Sequence, residues 1–181
     1  MAACSAFAGQ AQGQYFDPVK ATGVQGGLVV QLGASETSTA AALSLTGRYL
    51  IHVLDADAGK IQTARTRLRK DGRYGLAWAE QAGTASRLPY AENIVNLIIV
   101  RDYAVAVEEL SRVLAPGGAV AVTNPDLLTK AQLASGGFHV PDEVDSHLIA
   151  RKPWPKGMDV WSHPRHAADG IKLEEVALVP S

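Results

Sequence analysis

The stretch that most limits what this chain can fold into is GGLVVQLGASETSTAAAL, residues 26–43. An apolar run from Leu28 to Leu32 breaks at Gly33 and passes into small, helix-compatible residues. A run with no polar alternation is what a central parallel strand needs, because both of its faces are buried. A strand, a tight turn and a helix in that order outline a phosphate- or nucleoside-binding turn. Such turns ordinarily draw on several glycines, and this one has only Gly33. The chain has therefore kept either a ligand loop or only its scaffold.

The remaining bulk properties narrow the field. With 181 residues, 47% of them hydrophobic, one domain with a sizeable core is expected. A formal net charge of -1 gives no electrostatic reason to expect nucleic acid or an anionic membrane as partner. The longest apolar runs are strand-sized, too short to span a bilayer. A single cysteine, Cys4, excludes an intrachain disulfide framework and a cysteine-based zinc cluster. The leader MAACSAFAGQAQGQ, residues 1–14, is small and uncharged and is expected to be poorly ordered. It reads either as the trailing end of an export signal or as a plain flexible leader.

Past the leader, strands and helices alternate. Asp17 and Pro18 open a short helix expected to cover one sheet edge. Leu28–Leu32 is a strand, Thr37–Leu45 a helix ending near Gly47, and RYLIHVLDA (48–56) a second buried strand. AGKIQTARTRLRK (58–70) is a basic amphipathic helix stopped by Asp71 and Gly72, and YGLAWAEQ (74–81) is a weaker strand. ENIVNLIIV (92–100) is a strand, VAVEELSRVL (105–114) a helix, and GGAVAVTN (117–124) a strand after the turn at Pro116–Gly118. LLTKAQLAS (127–135) is a helix, and two strands, GFHVPDEV (137–144) and SHLIARK (146–152), follow so closely that they must pair antiparallel. The expected class is α/β, with a mostly parallel sheet and helices on both faces.

Four stretches, LVVQLGAS, IHVLDADAGKIQTAR, LPYAENIVNLIIV and EELSRVLAPGGAVAV, together with the closing GGFHVPDEVDSHLIARKP, carry a resemblance to class I S-adenosylmethionine-dependent methyltransferases. The match spans about residues 22–153 in the family's order. It implies a Rossmann-like, seven-stranded sheet of order 3-2-1-4-5-7-6 with an antiparallel terminal hairpin. It also implies S-adenosylmethionine as cofactor, held by Gly33, Ala34, Ser35, Asp55, Ala56, Thr84, Ala85 and Arg101, with Asp102 facing the methyl acceptor. Gly33 stands at the family's first glycine, where bare backbone meets the ligand. Asp55 ends the second strand about 20 residues further on, where an acid accepts from ribose hydroxyls. Thr84 and Ala85 hold the place of an adenine-binding acid.

The sequence departs from the family at several positions. Gln31 stands where an acid is frequent, and Ser35 and Thr37 where further glycines are. For several residues a structural role competes with the functional one. Ser35 or Thr37 would cap the helix after the turn, Asp57 the helix from Ala58, and Asp102 the helix that follows it. Arg101, Asp102 and Tyr103 cluster at the carboxyl end of a buried strand, the ligand-binding edge of an open α/β sheet.

Beyond Pro153 the segment WPKGMDVWSHPRHAADG begins a tail. His163, His166 and Asp169 are spaced by three, too thin a signal for a metal, and none is expected. Trp154 and Trp161 suggest docking onto this domain or onto a protein partner. KPWP, WSH and HAADG resemble the connector that joins methyltransferase-like domains to pyrroloquinoline-quinone-binding-like β-propellers in some bacterial proteins. Three functions are weighed. The first is a methyltransferase acting on a small molecule or a partner-presented acceptor, which implies a cytoplasmic protein. The second is a non-catalytic binding or assembly module, which suits an exported one. The third, a nicotinamide-dependent Rossmann enzyme, is opposed by the terminal hairpin and the single-glycine turn.

Overall fold

The computed structural model describes residues 17–83, 87–140 and 147–156. Helix α1 (Pro18–Thr22) opens it, capped by the carboxylate of Asp17. Then follow β1 (Gly27–Leu32), α2 (Ser38–Ser44), β2 (Tyr49–Asp55), α3 (Ala58–Lys70), β3 (Ala77–Gln81), β4 (Val95–Val100), α4 (Val107–Val113), β5 (Leu114–Val122), α5 (Lys130–Ser135) and β6 (Leu148–Arg151). The sheet order is β3-β2-β1-β4-β5-β6. All pairs are parallel except β5 with β6.

Each face of the sheet carries its own core, which is why the central strands read as mostly apolar runs, with Gln31, His52 and Asn96 as their polar members. On one face Val29, Ile51, Val53, Leu97 and Ile99 meet Ala40 and Leu43 of α2 and Ile61, Ala64 and Leu68 of α3. On the other, Val30, Leu32, Leu54, Ile98 and Val100 meet Val107, Leu110 and Val113 of α4 and Leu133 of α5. Fully burying one such side chain stabilises the fold by about 1.5–3 kcal/mol. The alternating faces thus fix the register of every strand and the position of its carboxyl end.

Two details correct the sequence-based expectations. The seven strands expected are six among the described residues. Of the segment read as a strand over 137–144, the described residues 137–140 contribute one antiparallel bridge, His139 to Arg151 at the end of β6. It lies at the edge expected of it, and residues 141–144 lie outside the described residues. Strand β5 begins at Leu114 rather than after the Pro116–Gly118 turn. The register against β4 slips between Val95 and Leu97, so the strand absorbs those residues as an irregularity, with Gly117 at φ +75.

An ion pair fixes the approach to β4. Glu109, 8% exposed, accepts from the Leu88 amide at 2.6 Å and is gripped by Arg112 through Nη2 at 2.6 Å and Nε at 2.8 Å. Arg112 also donates to the carbonyls of Tyr90 at 2.9 Å and Leu88 at 3.3 Å. The EELSR sequence of α4 therefore holds the LPY loop in place. No described helix is long and apolar enough to cross a membrane. The leader, Thr84, Ala85, and the His163, His166 and Asp169 triplet lie outside the described residues, as does the tail beyond Lys156.

Candidate cofactor site

Strands β1 and β4 are neighbours, and from them the connections run to opposite faces of the sheet. A crevice at their carboxyl ends is where open α/β sheets take ligands. Gly33, the first residue past β1, has φ +111, and its amide donates to the Leu54 carbonyl of β2 at 2.7 Å. The next amide, Ala34, donates to Asp55 Oδ2 at 2.9 Å, and Asp57 N donates to Asp55 Oδ1 at 2.9 Å. Gly33 and Asp55 are thus side by side at the sheet's carboxyl edge. Asp57 is the N-cap of α3, accepting from Gly59 at 2.7 Å and Lys60 at 3.0 Å. Those two backbone bonds, that from Lys60 foremost, hold its pKa below the usual carboxylate value.

Asp102 closes over the same point. A Cβ added to Gly33 would lie 1.6 Å from Asp102 Oδ1, so the glycine is needed both for its backbone angle and for this contact. Asp102 is not the cap of α4. Ala106 holds that position, with no side-chain hydrogen bond. Lys60 Nζ bridges the two acids, 3.0 Å from Asp102 Oδ2 and 3.6 Å from Asp55 Oδ2. The hydrogen bond to Asp102, ahead of the opposing effect of desolvation, raises the pKa of Lys60.

The turn keeps its shape with one glycine because side chains hold it. Fully buried Gln31 donates through Nε2 to the carbonyls of Gly33 at 2.9 Å and Glu36 at 2.6 Å. Arg67 of α3 donates to the Ser35 carbonyl at 3.2 Å. Arg101 forms an ion pair with Glu36 at 3.0 Å and reaches Thr39 Oγ1 at 3.3 Å. The Glu36 carboxylate accepts from the Ser38 amide, so it performs the capping expected of Ser35 or Thr37. Among described non-glycine residues only Asn93 has positive φ, so positions 35 and 37 do not need glycine for their backbone.

Of the residues expected at the site, Gly33, Ala34, Asp55 and Asp102 are brought together. The Ser35 side chain is exposed, and Ala56 is exposed with its carbonyl accepting from Gln81 at 2.9 Å. Arg101 is engaged by Glu36 of the turn and by Thr39 at the start of α2. Lys60 was not foreseen. Its signal was a cation at the third position of a helix, where the helix dipole opposes it unless acids stand near.

Buried side-chain atoms without a hydrogen-bond partner in the described residues gather here. They include Gln31 Oε1, Asp102 Oδ1 and Tyr103 Oη, with His52 Nε2 elsewhere. Burial, and secondarily the charge of Asp55, raises the pKa of Tyr103, so its hydroxyl stays protonated. Unsatisfied buried groups are uncommon in native proteins, and a concentration of them at one strand edge fits a ligand site. Two acids and bare backbone suit a ligand carrying hydroxyls and a positive charge, and so fit S-adenosylmethionine, with Lys60 in the space between the acids. No described group of three His, Cys, Asp or Glu is placed to hold a metal. An open groove of about 290 Å³, lined by Gly26, Asn96, Gly117, Arg151 and Trp154 among others, lies at the opposite, amino edge.

Comparison with known proteins gives the same family and fold. A family model described as "Methyltransferase domain" matches residues 30–122. The [4+2]-cyclase SpnF has a similar structure, with TM-score 0.65 and 16% identity over 76% of this chain and 79% of that one. A SAM-dependent methyltransferase from Aquifex aeolicus gives TM-score 0.60 and 17% identity over 73% and 86%. One from Methanosarcina mazei gives 0.59 and 15% over 77% and 99%. Among curated proteins no sequence matches.

Proposed function

This chain belongs to the methyltransferase domain family and has the class I fold of S-adenosylmethionine-dependent methyltransferases, and from that premise we propose that it binds S-adenosylmethionine and methylates a small or partner-presented acceptor. The observation that carries the proposal is the convergence of Asp55 and Asp102 on the bare backbone of Gly33. Gly33 and Ala34 would hold the cofactor by their backbone, and Asp55 its ribose hydroxyls. When bound, the cofactor supplies an electrophilic methyl group on a sulfonium. Asp102, 27% exposed at its side chain, would orient the acceptor. Displacement at a methyl group gains much of its acceleration from positioning, so no dedicated base is required. Only residues 101–106 join β4 to α4, which leaves little chain for recognising a large acceptor.

A second function, a binding or assembly module without catalysis, is favoured by one observation: the Lys60 ammonium stands between the two acids that a cationic ligand would use. The similarity to a [4+2]-cyclase accords with this, since one fold serves more than one reaction. In that case the tail, beginning at exposed Trp154, would be the docking segment.

Calorimetric titration with S-adenosylmethionine and S-adenosylhomocysteine separates the two. Micromolar binding that is lost in a folded Asp55→Ala variant supports the enzyme. No heat at millimolar ligand refutes it and leaves the module.

A further inference from the structure

The Lys60 ammonium touches both acids of the crevice, and it reaches them from the first turn of α3, where a cation is electrostatically misplaced. Asp57 is the cap, Ala58 and Gly59 follow, and Lys60 is the third helical residue. A solvent-seeking lysine there would point away from the positive end of the helix. This one instead leans across the turn, its side chain 40% exposed, to Asp102 and Asp55. The raised pKa agrees with the geometry, since the bond to Asp102 keeps the ammonium charged.

We propose that Lys60 is the residue that sets the affinity and charge preference of the cofactor crevice, its ammonium acting as an internal cation that a positively charged ligand must displace. This rests on the function proposed above and adds what that function lacks, the state of the site before ligand arrives. Asp55 has one oxygen on the Ala34 amide and the other on the Asp57 amide, and Lys60 adds the charged contact. Asp102 Oδ2 is held by Lys60 while Oδ1 lies against Gly33 without a partner. A ligand offering its own cation and hydroxyl groups replaces those contacts. Lys60, already part exposed, returns to water without a buried charge being stranded. S-adenosylmethionine carries one more positive charge than S-adenosylhomocysteine, so only the former brings a net positive charge to replace that of Lys60 once it has left. A ligand that binds a state open for a fraction of the time loses affinity by that fraction, so a crevice held closed nine-tenths of the time weakens binding about tenfold.

The test compares the wild type with Lys60→Met, which keeps the aliphatic stem and removes the charge, and with Lys60→Arg, which keeps the charge. Calorimetry gives the dissociation constants of S-adenosylmethionine and S-adenosylhomocysteine for each, and thermal unfolding without ligand serves as the fold control. The expected result is that Lys60→Met binds S-adenosylmethionine about tenfold tighter, with a smaller gain for S-adenosylhomocysteine, while Lys60→Arg stays near wild type. A lower ligand-free melting temperature should accompany the tighter binding in Lys60→Met. Unchanged or weaker binding by folded Lys60→Met, beside measurable wild-type binding, overturns the role of Lys60 and leaves the proposed function standing. An equal gain for both ligands overturns the charge preference. Absence of binding by every form, Lys60→Met included, overturns the proposed function and the role of Lys60 together.

Discussion

Glu109 and Arg112, one turn apart on α4, share a two-point ion pair whose outer hydrogen bonds run to Leu88 and Tyr90 in the loop before β4. Arg112, ahead of the Leu88 amide, holds the Glu109 pKa down. Removing either partner leaves a mostly buried charge without its counterpart. Glu109→Ala and Arg112→Ala should each lower the unfolding free energy by about 3 kcal/mol, measured by urea denaturation. The depressed carboxylate pKa gives a second check. Its stabilising effect is complete above the pKa of an unfolded glutamate and is lost as the pH falls through the folded value. Wild type should therefore approach the Glu109→Gln variant in stability under acid.

Gly33→Ala meets two obstacles at once. Its backbone lies at φ +111, and its Cβ would overlap Asp102 Oδ1 at 1.6 Å. A loss of at least about 3 kcal/mol is expected, read from chemical denaturation. Combining it with Asp102→Ala should relieve the carboxylate overlap but neither the backbone strain nor the 2.7 Å contact with the Asp102 amide nitrogen. The double variant should then be less destabilised than the sum of the singles. Additivity would show that Asp102 does not press on Gly33.

At position 31 the family's frequent acid should harm this chain. Gln31 Nε2 donates to two carbonyls, and a glutamate there would set a carboxylate against both of them. Gln31→Glu is expected to destabilise the protein by about 3 kcal/mol at neutral pH. A stability equal to wild type would mean the turn does not rely on those two bonds.

His52, in the middle of β2, provides a pH signature of the fold. It is 4% exposed, stacked on Trp78 at 4.8 Å between ring centroids, and its Nδ1 lies 2.6 Å from the Tyr90 hydroxyl. Burial, and then Glu80, pushes the Tyr90 pKa up, so the phenol keeps its proton, and the tautomer of His52 sets the direction of their hydrogen bond. Nε2 is 3.2 Å from Glu80 Oε2 but out of line for a hydrogen bond, and desolvation outweighs that carboxylate and lowers the His52 pKa. The unfolded chain therefore binds the proton more readily. Stability is complete above the unfolded histidine pKa of about 6.5 and declines as the pH falls from there toward the folded value. The urea midpoint of wild type should drop between neutral and mildly acidic pH, and His52→Gln should flatten that interval.

Leu28 to Leu32, Ile51 to Leu54 and Val95 to Val100 were legible because strands buried on both faces leave no polar alternation to misread. Asp57 was legible as a cap because its distance from Ala58 is local. The antiparallel direction of the last pair was legible because its connection is short, whereas the partners that meet, His139 and Arg151, are settled across the sheet. At the site the backbone residues Gly33 and Ala34 and the acid Asp55 follow from strand ends alone. The Arg101 to Glu36 pair was not legible, because it joins the end of β4 to the turn after Gly33, far apart in sequence and brought together only by the sheet. Lys60 was lost among the other basic residues of α3, most of which face solvent. Only its place in the first turn set it apart.

A bend secured by an amide, two guanidiniums and a carboxylate from its own neighbourhood does not depend on cargo for its form. The same contacts leave the backbone of Gly33 and Ala34 already shaped before anything arrives, so a bound molecule would have to fit that contour rather than mould it.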